Sequence, residues 1–264
     1  MLEIFEYEFM QRAFIVGTLI GIILPCIGLP MLLKRLAMIG DSLSHASLAG
    51  VTIGLSFGIN PMVSAIVACV FAGFSIEAIR YRLKAYQEVS TVIILALGVG
   101  VAGLFSGFSG NGNAISSYLF GSIITINDGE FLVIVATALG VLLVYYAWFK
   151  QIFLVVFNPM SARLLGINVK VVNFVITILS AVAIALSAKA IGSLIVSSLL
   201  VIPVMTAMQY TKTYKKTLIL SIVISLVCIY AGLLVSYYLN LKSGSVIVVL
   251  AVIGLMVSLL MKKK

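Results

Sequence analysis

The chain has 264 residues, of which 62% are hydrophobic and 9% charged, with a mean hydropathy of +1.25. Soluble domains carry about 25% charged residues, so a water-soluble enzyme or binding module is excluded and a polytopic membrane protein is expected. The formal charge of +9 is no nucleic-acid signal, because the basic residues stand in short clusters between apolar runs, as the orientation rule for membrane proteins requires.

Nine apolar runs follow one another. The first, 13–33, carries Pro25 and Pro30, which predict a kink or break in its second half. After Lys34 and Arg35, the second run reaches 59, and Asn60-Pro61 turns into a third that ends at 79 before a basic loop with Arg80, Arg82 and Lys84. The fourth, 89–105, contains Gly98-Val99-Gly100-Val101-Ala102-Gly103. Its letters fit the dinucleotide fingerprint, but it lies inside an apolar helix rather than at a strand-to-helix turn, so the glycines are read as close helix packing.

Residues 106–128 form the longest polar-leaning stretch, in which Tyr118-Leu119-Phe120-Gly121 is expected at the interface or re-entering it. The fifth run, 131–149, ends on the anchor residues Trp148 and Lys150. Residues 157–169 are amphipathic and too short to span. The sixth to ninth runs are 171–188, 191–208 with Pro203 and Ser193, Ser197 and Ser198, 217–239 and 246–261. With no long linker or repeat, residues 1–264 read as one transmembrane domain, an all-α bundle of nine spans, or eight if the short second or sixth run fails to cross. The acidic first ten residues do not resemble a cleaved leader. Cys26, Cys69 and Cys228 lie apart in apolar segments and form no C-x-x-C pair.

The basic clusters at 34–35, 80–84, 150–170, 212–216 and 262–264 all follow odd-numbered runs. That puts the C-terminus and the 157–169 segment in the cytoplasm and the N-terminus outside.

The one stretch with chemistry is Gly40-Asp41-Ser42-Leu43-Ser44-His45-Ala46-Ser47-Leu48-Ala49-Gly50, which holds the only histidine. On a helix, Asp41 and His45 stand one turn apart on one face and can grip a common cation. A carboxylate and an imidazole suit zinc, manganese or ferrous iron, but supply only two of the four to six ligands such ions want. The plainer alternative is that Asp41 caps a helix starting at Ser42. Ionisable groups inside membrane segments tend to mark a substrate path, which favours the metal reading. An intramembrane enzyme lacks support, since neither H-E-x-x-H nor a His paired to an exposed nucleophile is present.

This stretch resembles the G-D-x-L-S-H-x-x-L-P-G segment of the bacterial metal-ion permeases, the membrane subunits of ABC importers for zinc, manganese and iron. Three further stretches agree in order and spacing: Ser117 to Gly121, Asn158-Pro159 through Leu165-Gly166-Ile167, and Gly192 through Pro203. The chain departs from the family at Ala49, usually proline, and at Asn158, where an acid is common.

The resemblance implies a multi-pass permease of the bacterial cytoplasmic membrane and no permanently bound cofactor. It implies a second permease subunit, expected to be an identical copy, with cytoplasmic ATPase subunits and an extracytoplasmic metal-binding protein. Asp41 and His45 match its translocation path, and Asn158, Pro159, Ala162, Leu165 and Gly166 match its ATPase-docking segment. Without a G-x-x-x-x-G-K-[ST] loop the chain itself does not hydrolyse ATP. A secondary carrier, driven by a proton gradient with Asp41 as the titrating group, stands as the alternative.

Overall fold

The computed structural model of the chain describes residues 8–83, 87–109, 112–121, 127–239 and 241–261. Among them are eleven helices and no strands: α1 (Glu8–Leu33), α2 (Ala37–Phe57), α3 (Pro61–Arg82), α4 (Gln87–Ser109), α5 (Gly112–Phe120), α6 (Asp128–Phe157), α7 (Pro159–Leu164), α8 (Val169–Ala190), α9 (Ser193–Tyr210), α10 (Tyr214–Leu239) and α11 (Ser243–Met261). The expected all-helical membrane bundle is therefore the observed one. The Lys84 and 262–264 parts of the basic clusters lie outside the described residues.

The expected break in α1 does not occur. The helix continues through Pro25 and Pro30, both buried inside the bundle. Each proline removes one backbone donor, and packing neighbours compensate the freed carbonyls in a membrane helix.

Among the described residues, the helices that reach the length and hydropathy of a span are somewhat fewer than the nine runs. Seven helices, α1, α3, α4, α6, α8, α10 and α11, are long and apolar enough to cross a membrane. Of the other two runs, α2 is too polar by composition, and α9 is an apolar helix of 18 residues. The sixth run, doubted for its length, is the 22-residue α8 and qualifies. α2 falls out because Asp41, His45 and five Ser and Thr residues dilute its hydropathy. Both α2 and α9 pack extensively against other helices of the bundle.

The ends of the bundle set its sidedness. At one end Lys34 Nζ donates to Asn173 Oδ1, and Lys170 Nζ lies 3.3 Å from the Tyr81 hydroxyl. Phe153 and Phe157, leading into α7, pack edge-on to the Tyr214 ring beside the Lys212, Lys215 and Lys216 turn. At the other end, Arg12 pairs with Glu8 and Asp128, Lys189 pairs with Glu130, and Lys242 stands 4.4 Å over the Phe120 ring. Lys and Arg crowd the first end, which makes it cytoplasmic. α1 starts at the outer end and α11, whose Gly244 packs on Ile191 and Phe120 there, finishes at the inner one.

α1 and α8 are the most buried of the spanning helices and form the centre. α9 joins α1 where a Cβ on Gly28 would lie 2.0 Å from the Leu200 carbonyl oxygen, so only glycine permits that approach. α2 packs most extensively on α4 and α3. Of the three fingerprint-like glycines, Gly98 makes the expected close contact: a Cβ there would sit 3.0 Å from Ala46 N and from His45 C. Gly100 and Gly103 have open space beside them.

Candidate translocation site on α2 and candidate docking segment α7

α2 begins at Ala37, four residues before Asp41, and its first position is flanked by Leu36, which makes no side-chain cap. Asp41 is therefore inside the helix, and the capping alternative is set aside. The helix buries the residues around the pair. Ser42 Oγ donates to Thr91 O of α4 at 2.8 Å, Ser44 Oγ donates to Gly40 O at 2.8 Å, and Cys69 Sγ of α3 lies 3.3 Å from Leu43 O. The Ser42 bond and the Cys69 contact orient α2 about its axis, and the hydroxyls of Ser42 and Ser44 are engaged with backbone carbonyls.

One stripe of α2 is left open. Met38 is exposed, and Asp41, His45 and Leu48 are half-buried at successive i, i+3, i+7 and i+10 positions. Among the described residues, no hydrogen bond or ion pair engages Asp41 or His45, and no group of three His, Cys, Asp or Glu side chains is close enough to hold a metal. A carboxylate and an imidazole left unpaired on one face of a membrane helix are costly unless a cation or water meets them. The chain thus offers two ligands on an incomplete surface.

α9 borders this stripe. A Cβ on Gly40 would stand 3.8 Å from Ser197 Cβ and 3.9 Å from Leu200 Cδ1. Ser197, Ser198, Val201 and Met205 are half-buried and Met208 is exposed, so α9 carries an open stripe of its own. Ser193 is buried at the helix start. Two of the sequence stretches that resemble the permeases therefore meet here, and a third joins them outside. Gly121 and Gly192 both have positive φ (75° and 108°); a Cβ on Gly121 would overlap the Ile191 carbonyl and one on Gly192 the Phe120 carbonyl carbon, so no other residue type fits there. α5 is tucked against α2, α8 and α9 rather than lying free at the interface.

The remaining stretch is α7, at the cytoplasmic end. Asn158 Oδ1 accepts from Ser161 N at 3.0 Å, Pro159 fills the first helical position, and Gly166 at φ 77° ends the segment. Asparagine caps as well as the acid it replaces but brings no charge. The outward face is Met160, Leu164 and Leu165, at 66%, 84% and 67% exposure. Ala162 is fully buried and fastens the segment to the bundle. Of the five residues singled out, Leu165 faces out, Asn158, Pro159 and Gly166 shape the backbone, and Ala162 faces in. Met160 and Leu164, which were not singled out, share this outward face at i, i+4 spacing.

The sequence profile of the ABC 3 transport family matches residues 6–262. Similar proteins include a "Probable metal transport system membrane protein" of Treponema pallidum, 32% identical over 95% of this chain and 94% of that one. The "High-affinity zinc uptake system membrane protein ZnuB" of Haemophilus influenzae is 28% identical over 98% and 99%. The "Manganese import system permease protein ScaB" of Streptococcus parasanguinis is 26% identical over 98% and 92%. The fold superimposes on the solved structure of PsaBC from Streptococcus pneumoniae in complex with Fab, with a TM-score of 0.81 and 24% identity over 96% of this chain and 91% of that one. With its seven apolar spans and a profile match over nearly its whole length, the chain belongs to the ABC 3 transport family and is a multi-pass permease of the cytoplasmic membrane.

Proposed function

We propose that this permease carries a divalent transition-metal ion into the cell and that Asp41 and His45 are the side chains that hold it in transit. The observation behind this reading is the unpaired acid and imidazole on the open face of α2, beside the open face of α9. Two ligands are too few. A second copy of the chain, meeting the first about a two-fold axis along these open stripes, would bring two carboxylates and two imidazoles together. The paired carboxylates offset much of the cost of drawing a dication from water, which for a buried ion is several kcal/mol. Such a site suits brief coordination, since conduction requires release.

The outward face of α7, with Met160, Leu164 and Leu165, fits a groove of a separate cytoplasmic ATPase, and an extracytoplasmic metal-binding protein delivers the ion. Membership in an ABC family disfavours the proton-driven carrier, because in this architecture ATP supplies the work. The named relatives divide between zinc and manganese at similar identity, so similarity does not choose the cargo. Zinc, manganese and ferrous iron all accept this ligand pair.

The test is radiometal uptake in cells expressing the full transporter with Asp41→Asn or His45→Ala. Both variants should reach the membrane at normal levels, because neither side chain holds the fold together, and both should lose uptake at least tenfold. Full uptake by both variants refutes the assignment.

A further inference from the structure

At the cytoplasmic end, a cavity of about 640 Å³ opens between the end of α3, α7 and the start of α8. Its walls include Glu77, Arg80, Tyr81, Arg163, Lys170 and Phe174. Glu77 is the single acid among them and is already engaged. It accepts from Arg80 at 2.7 Å and from the Thr177 hydroxyl at 2.8 Å. Among the described residues, no acid pairs with Arg163 or Lys170; the Lys170 ammonium is held 4.4 Å over the Tyr81 ring. Behind the cavity, Lys34 adds a further cation, donating to Asn173. The sequence has few acids to offer: of its eight, Asp41, Glu77 and Glu88 are the three toward the inner ends of the described helices, and Asp41 does not line this cavity. The cavity therefore carries two cations that the chain leaves uncompensated.

An apolar track adjoins the cavity. Phe174 lines it and meets Phe74 edge-on at 5.9 Å between ring centres. From Phe74 the outer stripe of α3 runs outward through Phe71 and Val67, which are 58%, 71% and 64% exposed in that order. A ligand matched to both parts has an anionic head at the inner membrane surface and a hydrocarbon tail beside the helix. Basic pockets between membrane helices at the cytoplasmic surface suit anionic head groups.

We infer that this cavity is a binding site for an anionic phospholipid of the inner leaflet, its phosphate held by Arg163 and Lys170 and an acyl chain laid along Phe74 and Phe71. Free phosphate would use the head site alone and leave the aromatic track bare. Because Arg163 lies on α7 and Lys170 on α8, a bound head group ties the short helix to the bundle.

The test is thermal unfolding and native mass spectrometry of the full-length protein in neutral detergent, titrated with phosphatidylglycerol, phosphatidylcholine or inorganic phosphate. Phosphatidylglycerol should bind at least tenfold more tightly than phosphatidylcholine and raise the melting temperature. R163Q/K170Q should lose that preference. Phe71→Ala/Phe74→Ala, which keeps the charges, should retain the preference with weaker binding, and serves if the first variant folds poorly. Equal binding of the two lipids, unchanged preference in R163Q/K170Q, or an equal shift from inorganic phosphate overturns the proposal. It is also overturned if R163Q/K170Q leaves lipid binding intact but releases the ATPase, which would make the cavity a protein contact.

Discussion

Replacing Gly98 by alanine tests whether the small-residue seam between α4 and α2 holds the His45 helix in place. The added Cβ would sit 3.0 Å from Ala46 N and His45 C and 3.2 Å from His45 O. Ordinary carbon contacts are about 3.5 to 4.0 Å, so the two helices must part by roughly 0.5 Å or more, and backbone atoms cannot rotate away as a side chain would. Overpacking of this kind costs about 1 to 3 kcal/mol, against a gain of about 1 kcal/mol from replacing glycine inside a helix. Gly100→Ala and Gly103→Ala meet nothing within 4 Å and collect only the gain. Gly98→Ala should therefore be about 1 to 3 kcal/mol less stable than Gly100→Ala, and it should take up metal more slowly because the strain falls on the His45 peptide. Thermal melts of the three purified variants, with uptake measured on the same preparations, check this. If Gly98→Ala melts and transports like Gly100→Ala, the seam does not position α2 and the reasoning fails.

At the outer end, the Lys189 and Glu130 side chains are 12% and 13% exposed, so Lys189→Met alone should cost about 3 to 5 kcal/mol by stranding a buried charge; the double variant with Glu130→Met should recover most of that loss in thermal melts. At the inner end, burial and then the Arg80 charge push the Lys34 ammonium down from 10.5 to about 8. Below pH 8 both folded and unfolded chains hold the proton and the folded state bears the full cost. Between about 8 and 10.5 the unfolded chain holds more protons, so this group makes stability rise with pH. A melting series from pH 7 to 10 should show that rise in the wild type and a smaller one in Lys34→Met. On α7, Met160→Ser/Leu164→Ser should leave the melting temperature unchanged and reduce co-purification of the ATPase, whereas Ala162→Leu should destabilise the bundle by about 1 to 3 kcal/mol; a reversed pattern would show that the wrong face was assigned to the partner.

Hydropathy and charge placement, read along the chain, determined the membrane class, the positions of nine helices, their order and their sidedness, because lipid demands apolar length and the cytoplasmic face collects Lys and Arg. The i, i+4 spacing also determined that Asp41 and His45 share a face. Only the tertiary structure decided which face that was. It took the Ser42 bond to Thr91, the Cys69 contact with Leu43 and the Gly98 approach to fix the rotation of α2 and leave the pair facing outward. Packing likewise carried α1 through its two prolines, turned Ala162 inward, and joined Arg80, Arg163 and Lys170, up to 90 residues apart in sequence, around one cavity. Those outcomes depend on contacts between distant segments, and a linear pattern of residues does not contain them.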